Sequence, residues 1–350
     1  MSAGGTVTVP AEVLSRWGAL YGRPAAPLGG GLINDTFVVR GRDARFVLQR
    51  LHPLWTAAVC EDVRVVTEHL ARHGLITPRL LPCDDGDLCA CDEAGRIWRV
   101  LTFVEHTVTH QRLDDAALAF QAGLLVGRVH TALDDLRHEY RFSRGNVHDT
   151  AKHLETLRSA LDECRDHRLY DRVARVAEEL FTAAAALPSF GGLPRRHVHG
   201  DLKISNLLFD ASGQGVCVVD FDTLAQMIWP FEMGDALRSW CNPAGEDHSP
   251  VTFDLGLFES AVRGYATSAG QLISIDEQRL LPAGVMTISL ELAARFLADA
   301  LYERYFGFDP TRYENRGEHN LARGVGQWSL HHSVRAQLSS ADDVVRQAFP

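Results

Sequence analysis

The sequence predicts an α+β fold with two lobes, a small β-rich N-terminal lobe and a large, mostly helical C-terminal lobe. Over residues 20–104, short apolar runs with strand alternation surround one segment with helical spacing, which is typical of a small sheet packed on a helix. After Glu105 the pattern changes to long amphipathic segments with helical spacing. We therefore assign residues 1–105 to the N-terminal lobe and residues 106–350 to the C-terminal lobe, and we expect ligands to bind in the cleft between them.

Each element of the N-terminal lobe follows from its local pattern. Alternating apolar residues separated by turn residues predict the strands, and the one long helix is expected to end at Gly74. In chain order the predicted elements are a short helix over 11–20, a strand–turn–strand unit over Leu28–Val39, a strand over Arg45–Leu51, a helix over Glu61–His73, and a hairpin of Leu80–Cys91 and Arg96–Val104.

The C-terminal lobe is predicted to be helical with one interruption. Leu113–Leu133 is strongly amphipathic, and Lys152–Leu187 continues with helical spacing. A β-hairpin over 207–222 interrupts this pattern, and helices resume at Asp235. The segment Arg99–Glu105 is the expected connection between the lobes.

Composition narrows the class of protein. Of the 350 residues, 46% are apolar and 23% are charged, and the formal net charge of −10 argues against a nucleic-acid partner, which would select a basic surface. We find no apolar run long enough to span a bilayer and no signal pattern at the N-terminus, so the sequence predicts a cytoplasmic protein without a membrane partner.

The seven cysteines lack zinc-site spacing and are expected to be reduced. His69 and His73 lie one helical turn apart, and without a third ligand we expect them to form a solvated helix face.

The most informative segment is residues 199–222, in which HGDLKISN is followed by an apolar run and VVDFD. An acid, an amide five residues later and a second acid after a strand are the groups that phosphoryl transfer requires. Asp201 can orient the attacking hydroxyl as a base, and Asn206 and Asp220 can hold Mg²⁺ through oxygen ligands. A polar turn without chemistry is the alternative, but it does not account for several linked residues in this order. The segment therefore predicts a kinase that uses ATP and Mg²⁺.

Other residues of this region have predicted roles. Of the 35 basic residues, only two are lysines, so the lysine at position 203 is expected to have a specific task, which is to reach the γ-phosphate and offset its developing charge. His199 is expected to support the loop by hydrogen bonding. Asp222 lies two residues after Asp220 and is either a second metal ligand or a carboxylate that faces the substrate. Asp235, at a helix start, is expected to anchor the backbone of the loop.

A glycine-rich turn in the N-terminal lobe is the expected phosphate cradle. Without a Cβ, the backbone N–H groups of the turn can approach phosphates closely. The candidate nucleotide contacts in this unit are Gly30, Gly31, Asn34 and Thr36. Thr102 and Val104, in the connection between the lobes, are expected to offer backbone groups to the adenine.

The strand over 45–51 lacks the expected cation. Kinase-like lobes carry a phosphate-binding lysine there, but this chain has no lysine before residue 152. Either Gln49 or Arg50 occupies that place. If Arg50 faces the cleft, Glu61 or Glu68 is its expected partner, and a surface position for Arg50 is the alternative.

These residues resemble the aminoglycoside phosphotransferase and choline kinase superfamily, which shares the protein-kinase-like fold. HGDLKISN corresponds to the catalytic loop of that superfamily and VVDFDT to its metal-binding aspartate segment. Several segments are similar to the N-acetylhexosamine 1-kinase branch, and the glutamine of FVLQR is itself a feature that we associate with that branch. The similar segments are GGLINDTFVV, FVLQRLH, VDFDT, FEMGDALRSWCNPAGED, ARFLADALYERYF and HNLAR.

The resemblance implies an activity and a site. It implies that Asp201 is the catalytic base and that Asn206 and Asp220 are the Mg²⁺ ligands. The residues that it implies to be near the sugar are Arg295, Tyr302 and the pair 319–320. A common form of the loop has asparagine where this chain has Gly200, which leaves the acceptor open.

The leading hypothesis is a sugar kinase that phosphorylates a hydroxyl of an N-acetylhexosamine, at the anomeric position. An aminoglycoside kinase would require several unpaired carboxylates at the acceptor site, and a choline kinase would require an aromatic box, for which Trp229, Phe231 and Trp240 are candidates. A nucleotide-binding regulator without turnover is a third hypothesis, which the missing lysine favours and the intact acid–amide–acid set opposes.

Overall fold

The computed structural model describes residues 9–29, 34–142, 148–248 and 250–349. Near the N-terminus, an antiparallel sheet has the strand order β1-β2-β3-β6-β4, with β5 paired to β6. Its elements are α1 (Ala11–Ser15), β1 (Ala25–Pro27), β2 (Asp35–Arg40), β3 (Arg45–Arg50), α2 (Ala58–Arg72), β4 (Leu80–Leu81), β5 (Ala90–Cys91) and β6 (Ile97–Thr102).

The two faces of this sheet have different environments. One face packs on α1 and forms a buried apolar cluster around Trp17 and Trp98. The strand register pairs Thr36 with Gln49 and Gln49 with Arg99. Because directly paired residues point to the same side of a sheet, these three polar side chains share the opposite face. That polar row positions one wall of the candidate site.

Most predicted elements of this region are confirmed, but the strand predicted over Leu80–Cys91 is wrong. Only its two ends pair with β6, as β4 and β5. Between them the N–H of Cys83 donates to the carbonyl of Asp87, and Gly86 has a φ of +92°, so the chain makes a tight turn. Proline and a run of aspartates in this segment favour turns over strands.

Helix packing forms the C-terminal region around two centres. At the first, other helices pack around α9 (Leu281–Tyr302), which is buried along nearly its whole length. In the second, α3 (Ala116–Leu133) and α7 (Leu255–Ala269) cross closely, because a Cβ at Gly123 or Gly264 would overlap a carbonyl of the other helix. The remaining helices are α4 (Thr150–Glu163), α5 (Tyr170–Ala184), α6 (Trp229–Trp240), α8 (Ile275–Arg279), α10 (Arg316–Ala336) and α11 (Leu338–Ala348).

Two boundaries in this region differ from the prediction. The helix predicted over 152–187 is two helices, α4 and α5, which are separated by a turn at 164–169. The helix predicted to resume at Asp235 begins earlier, at Trp229, with a proline in its first turn. Proline is favoured there because its missing N–H would have no partner in the helix.

Short strands carry the acid–amide–acid segment. β7 (Val108–Thr109) pairs with β9 (Leu207–Phe209), and β9 pairs with β10 (Gly215–Val218), which confirms the predicted hairpin. β8 (Arg195–Val198) pairs with β11 (Ala225–Ile228). These pairings place the loop between β8 and β9 beside the turn between β10 and β11.

Among the residues that the structure describes, two helices, α3 and α9, are long and apolar enough to cross a membrane by length and composition. The sequence analysis identified no such run. Within the protein, 56% of the α3 window and 89% of the α9 window are buried. Their apolar surface therefore packs largely against other parts of this chain.

Candidate active site

The backbone of the loop at 199–206 is held by α6 and by the segment that follows Asp220. Glu232, buried in the first turn of α6, accepts the N–H of His199 at 2.9 Å and the N–H of Gly200 at 3.1 and 3.2 Å. The Thr223 hydroxyl donates to the His199 carbonyl at 2.8 Å. A loop with this many backbone bonds is fixed before any ligand binds.

Gly200 is required by the shape of this loop. Its φ is +82°, a left-handed conformation, and a Cβ there would overlap the carbonyl of Thr223. The asparagine that is common at this place in related loops would meet the same carbonyl. The close approach of the Thr223 carbonyl therefore explains why this chain has glycine, and not asparagine, at position 200.

His199 supports the loop, as predicted. The N–H of Asp201 donates to His199 Nδ1 at 3.2 Å, and His199 Nε2 lies 2.9 Å from the carbonyl of Val219. Since a backbone N–H can only donate and a carbonyl can only accept, the imidazole carries its proton on Nε2. Both nitrogens are thus used to join the loop to the strand end before Asp220, and neither is available for proton transfer.

Lys203 and Asn206 both donate hydrogen bonds to the carboxylate of Asp201. The Lys203 ammonium donates to Asp201 Oδ2 at 2.7 Å, and Asn206 Nδ2 donates to the same oxygen at 3.2 Å and to the Asp201 carbonyl at 2.8 Å. Burial opposes the charge on Lys203, but Asp201, Asp220 and Asp235 outweigh it and raise the pKa of Lys203. The amide of Asn206 uses its nitrogen here, which leaves its oxygen for another partner.

Asp220 is a half-buried carboxylate on strained backbone. Its φ of +70° is left-handed, and its side chain makes no hydrogen bond or ion pair with the residues that the structure describes. Burial and the neighbouring Asp222 raise its pKa to about 6. A buried anion without a protein partner is unfavourable unless a cation is supplied. The donor set of Asp220 and the Asn206 oxygen fits a hard divalent cation such as Mg²⁺.

Asp222 occupies a different environment from Asp220. It forms an ion pair with Arg99 at 2.6 Å and accepts from Asn34 Nδ2 at 2.7 Å, and all three side chains are buried. Both polar partners of Asp222 thus come from the N-terminal region, and Asp222 forms part of the wall that the sheet provides. The sequence analysis missed Arg99, whose only signal is a charged residue inside an apolar strand.

The structure distinguishes the two candidates for the missing lysine. Gln49 lies on the polar face and its Oε1 accepts from Arg99 Nη2 at 2.7 Å and from Nε at 3.0 Å. Arg50 lies on the opposite face and pairs with Asp35 at 2.5 Å. Its expected partners, Glu61 and Glu68, pair with Arg64 instead. The strand alternation thus places Gln49, and not Arg50, on the face of the site.

The remaining nucleotide candidates have these positions. Thr36 lies on the polar face, with its hydroxyl 3.4 Å from Gln49 Nε2. The Thr102 hydroxyl accepts the N–H of Arg79 at 2.9 Å, and the Val104 carbonyl accepts from Thr107 at 3.0 Å. Gly30 and Gly31 lie outside the described residues.

The anchoring role predicted for Asp235 is wrong, because Glu232 performs it. Asp235 instead pairs with Arg238 at 2.9 Å on the same helix. Its charge is one cause of the raised pKa of Lys203, and Asp201 is one cause of the raised pKa of Arg238, although burial opposes both charges. Asp235 and Arg238 therefore supply charge beside the loop at 199–206. Glu232 was missed because its position relative to the loop depends on tertiary packing.

The residues implied to lie near the acceptor have unequal surroundings. The Arg295 guanidinium lies 5.6 Å from the ring centre of Phe306, and its positive charge is close enough to influence the pKa of both His148 and Asp235. The hydroxyl of Tyr302 donates to Glu163 at 2.9 Å. The two polar residues at 319–320 are buried and bonded: the His319 imidazole lies 3.0 Å from Asp247, and Asn320 donates to Asp299 at 2.8 Å.

Of the histidine pair on α2, only His73 lies on a solvated face. His69 is buried, and Asp135, which follows α3, lies 2.9 Å from His69 Nε2 and 3.3 Å from His73 Nε2. His69 Nε2 also contacts the carbonyl of Ala132 at 2.8 Å. The pair therefore attaches the end of α2 to the end of α3.

The fold and the site together define a small-molecule kinase, an enzyme that transfers a phosphoryl group to a hydroxyl. The chain belongs to the phosphotransferase enzyme family APH, whose family model matches residues 24–267. This places it in the aminoglycoside phosphotransferase and choline kinase superfamily, with the protein-kinase-like fold that the sequence predicts.

Named relatives and solved structures agree on kinase activity and differ in acceptor. The chain is 26% identical to homoserine kinases of Gluconobacter oxydans (78% of this chain, 80% of the relative) and Acidiphilium cryptum (78% and 79%). It resembles in fold an aminoglycoside phosphotransferase from Alicyclobacillus acidocaldarius (TM-score 0.64, 16% identity, 97% of this chain and 99% of that one) and a microcompartment-associated aminopropanol kinase (0.63, 18%, 95% and 97%). A third structure is amicoumacin kinase hAmiN in complex with AMP-PNP and Ca²⁺ (0.57, 14%, 87% and 87%).

Proposed function

We propose that this protein transfers the γ-phosphoryl group of ATP to a hydroxyl of a small neutral sugar, with Asp201 as the base. One observation carries the proposal: the Asp201 carboxylate is held by Lys203 and Asn206, on a loop beside the Asp220 carboxylate, which has no partner among the described residues. Asp201 Oδ1 has no bond within the described residues and can accept the hydroxyl proton. When ATP is bound, the Lys203 ammonium would move from Asp201 Oδ2 to a phosphate oxygen and offset the charge that develops there.

Mg²⁺ would be held by the Asn206 amide oxygen and the Asp220 carboxylate. Bound there, it would supply neutralisation of phosphate charge during transfer. The protein's own contribution is to present those two oxygens from a fixed loop and a strained turn. The related complex with AMP-PNP and Ca²⁺ supports nucleotide and divalent cation as ligands of this class.

The proposed nucleotide residues lie in residues 1–105, and the proposed acceptor residues lie in residues 106–350. Thr36 and Gln49 on the sheet face are proposed to meet the phosphates, and the backbone at Thr102 and Val104 to meet the adenine. A cytoplasmic location fits free ATP as the donor.

For the acceptor we propose the anomeric hydroxyl of an N-acetylhexosamine. The support is the similarity of segments around Arg295 and Tyr302 to that branch of kinases, and the mixture of acids and arginines over residues 304–323, which suits a neutral ligand. The runner-up is a hydroxy amino acid, which the homoserine kinase relatives favour. An aminoglycoside would require unpaired carboxylates, whereas Asp235 and Asp247 are both paired with arginine.

The first test is ADP release from Mg-ATP with a panel of acceptors. The panel contains N-acetylglucosamine, N-acetylgalactosamine, other free sugars, L-homoserine, aminopropanol, choline and kanamycin. Rapid turnover with one N-acetylhexosamine, and phosphate on its anomeric oxygen by ³¹P NMR, supports the proposal. Turnover with L-homoserine alone replaces the acceptor and keeps the chemistry. Binding of Mg-ATP without turnover on any member would favour a nucleotide-binding regulator.

A further inference from the structure

We propose that the phosphates of the nucleotide are met in the N-terminal lobe by the amide of Gln49, which Arg99 orients from the neighbouring strand. Arg99 is thereby a positioning residue for the N–H donors that stand where a lysine on β3 would otherwise be. The inference rests on the proposed nucleotide site but not on the identity of the acceptor.

The orientation of the Gln49 amide is fixed by Arg99. Two guanidinium nitrogens, Nε and Nη2, lie 3.0 and 2.7 Å from Gln49 Oε1. A guanidinium has donors only, so the carbonyl end of the amide must face it. The NH₂ end is then directed along the polar face, where Thr36 Oγ1 lies at 3.4 Å. Gln49 thus presents N–H donors beside Thr36 on β2.

The charge of Arg99 is balanced by Asp222 and not by α2. The three acids of α2 are engaged elsewhere: Glu61 and Glu68 pair with Arg64, and Asp62 accepts from His138 at 2.7 Å. From α2, the group beside Arg99 is the buried Cys60 thiol. The cation of the sheet is therefore joined directly to the segment that carries Asp220.

This arrangement also gives the two acids of VDFD separate tasks. Asp222 is neutralised by Arg99 and held by Asn34, whose Oδ1 accepts the N–H of His52 at 3.0 Å. Asp220 has no such partner among the described residues. Placing a cation and an anion together in the interior is expensive, and apolar residues of similar volume often serve stability as well. A buried ion pair at the nucleotide wall is thus better explained by function than by stability.

The test is a set of variants measured by Mg-ADP titration calorimetry and by the KM for ATP. Arg99→Met alone leaves Asp222 buried and unpaired and is expected to lose stability, so the informative variant is Arg99→Met with Asp222→Asn. We expect this pair to remain folded, with Mg-ADP affinity and KM for ATP weakened by roughly tenfold or more, the range of a charge-assisted hydrogen bond. The KM for the acceptor should stay unchanged.

Two further variants separate positioning from a merely structural role. Gln49→Glu keeps a strong acceptor for Arg99 but removes the N–H donors, so it should fold normally and still weaken Mg-ADP binding. Adding Gln49→Lys to the pair of Arg99→Met and Asp222→Asn restores a cation on the polar face without leaving a buried carboxylate beside it, and should recover most of the affinity. Arg263→Met with Glu259→Gln, which removes an exposed ion pair on α7, is the matched control and should change nothing.

The outcomes also separate this inference from the proposed function. Unchanged Mg-ADP affinity in folded Gln49→Glu or in the Arg99–Asp222 pair would overturn the inference. A folded variant with Gln49→Lys, Arg99→Met and Asp222→Asn that does not recover affinity would do the same. Failure of the wild type to phosphorylate any acceptor, with these affinity changes intact, would overturn only the proposed reaction.

Discussion

The two walls of the candidate site are built in different ways. The catalytic wall comes from one continuous segment, residues 199–222, in which a loop and a hairpin bring Asp201, Asn206 and Asp220 together. The wall formed by the sheet comes from separate parts of the chain, because Gln49 on β3 meets Arg99 on β6 and Arg99 meets Asp222. A local wall can be recognised from residue spacing, whereas a composite wall needs the register of the strands.

The two walls also differ in how charge is neutralised. On the sheet side, Arg99 and Asp222 form a buried pair that is complete within the protein. On the catalytic side, Asp220 is unpaired among the described residues and its raised pKa reflects burial next to Asp222. The comparison predicts that variants of the catalytic wall act on chemistry and metal binding, and that variants of the other wall act on nucleotide affinity.

The largest expected effect is that of Asp201→Asn. Removing the base should lower kcat by roughly 10²- to 10⁴-fold, because asparagine cannot accept the proton of the attacking hydroxyl. Mg-ADP affinity should stay close to that of the wild type, since Asp201 belongs to the catalytic wall. Steady-state kinetics and calorimetry on the same preparation check both parts. A kcat within threefold of the wild type would end the assignment of Asp201 as the base.

The second prediction concerns pH and Asp220. Its pKa of about 6 in the folded protein lies above its ordinary value of 3.8. The folded state therefore binds this proton more tightly than the unfolded chain, and its contribution to stability is full below about pH 4 and is lost as pH rises through 6. The difference corresponds to roughly 3 kcal/mol in the metal-free protein. Asp220→Asn should remove this loss, which urea unfolding at pH 4.5 and 7.5 in EDTA can measure.

The same titration has the opposite sign for metal binding. Below about pH 6 the Asp220 carboxylate is protonated and cannot serve as a ligand, so the apparent affinity for Mg²⁺ should fall. Mn²⁺ binding followed by electron paramagnetic resonance at pH 5 and 7.5 measures this directly. Equal affinity at both pH values would contradict the role of Asp220 as a ligand.

The sequence predicts the local structure of residues 199–222 well and the composition of the sheet wall poorly, for physical reasons. The acid–amide–acid order, the β9–β10 hairpin and the bonding role of His199 all depend on short-range geometry. Arg99 faces Gln49 only because β3 and β6 pair in one register, which apolar alternation alone does not specify. Glu232 and Asp235 are acids about one turn apart on α6, and only tertiary packing decides that Glu232 receives the loop N–H groups.

Glu232→Gln is expected to have an intermediate effect on the catalytic wall. The amide keeps one acceptor oxygen but loses the charge and the second oxygen that holds Gly200, so the free energy of unfolding should fall by about 1–3 kcal/mol. We expect kcat to decrease by roughly tenfold, because a looser loop misplaces Asp201. The KM for ATP should change little. Glu259→Gln on the surface of α7 is the control, and equal losses of stability in the two variants would contradict the anchoring role.

The smallest expected effect is that of Arg50→Gln, and it tests the comparison most finely. Arg50 is adjacent to Gln49 in sequence but points to the other face of β3, where it pairs with Asp35 near the surface. Loss of such a pair should reduce stability by at most about 1 kcal/mol. Because the phosphates are expected on the Gln49 face, the KM for ATP should stay within a factor of two, whereas Gln49→Glu should raise it strongly. A large increase for Arg50→Gln would place the phosphates on the opposite face of β3 and would remove the reason for assigning the buried pair of Arg99 and Asp222 to nucleotide binding.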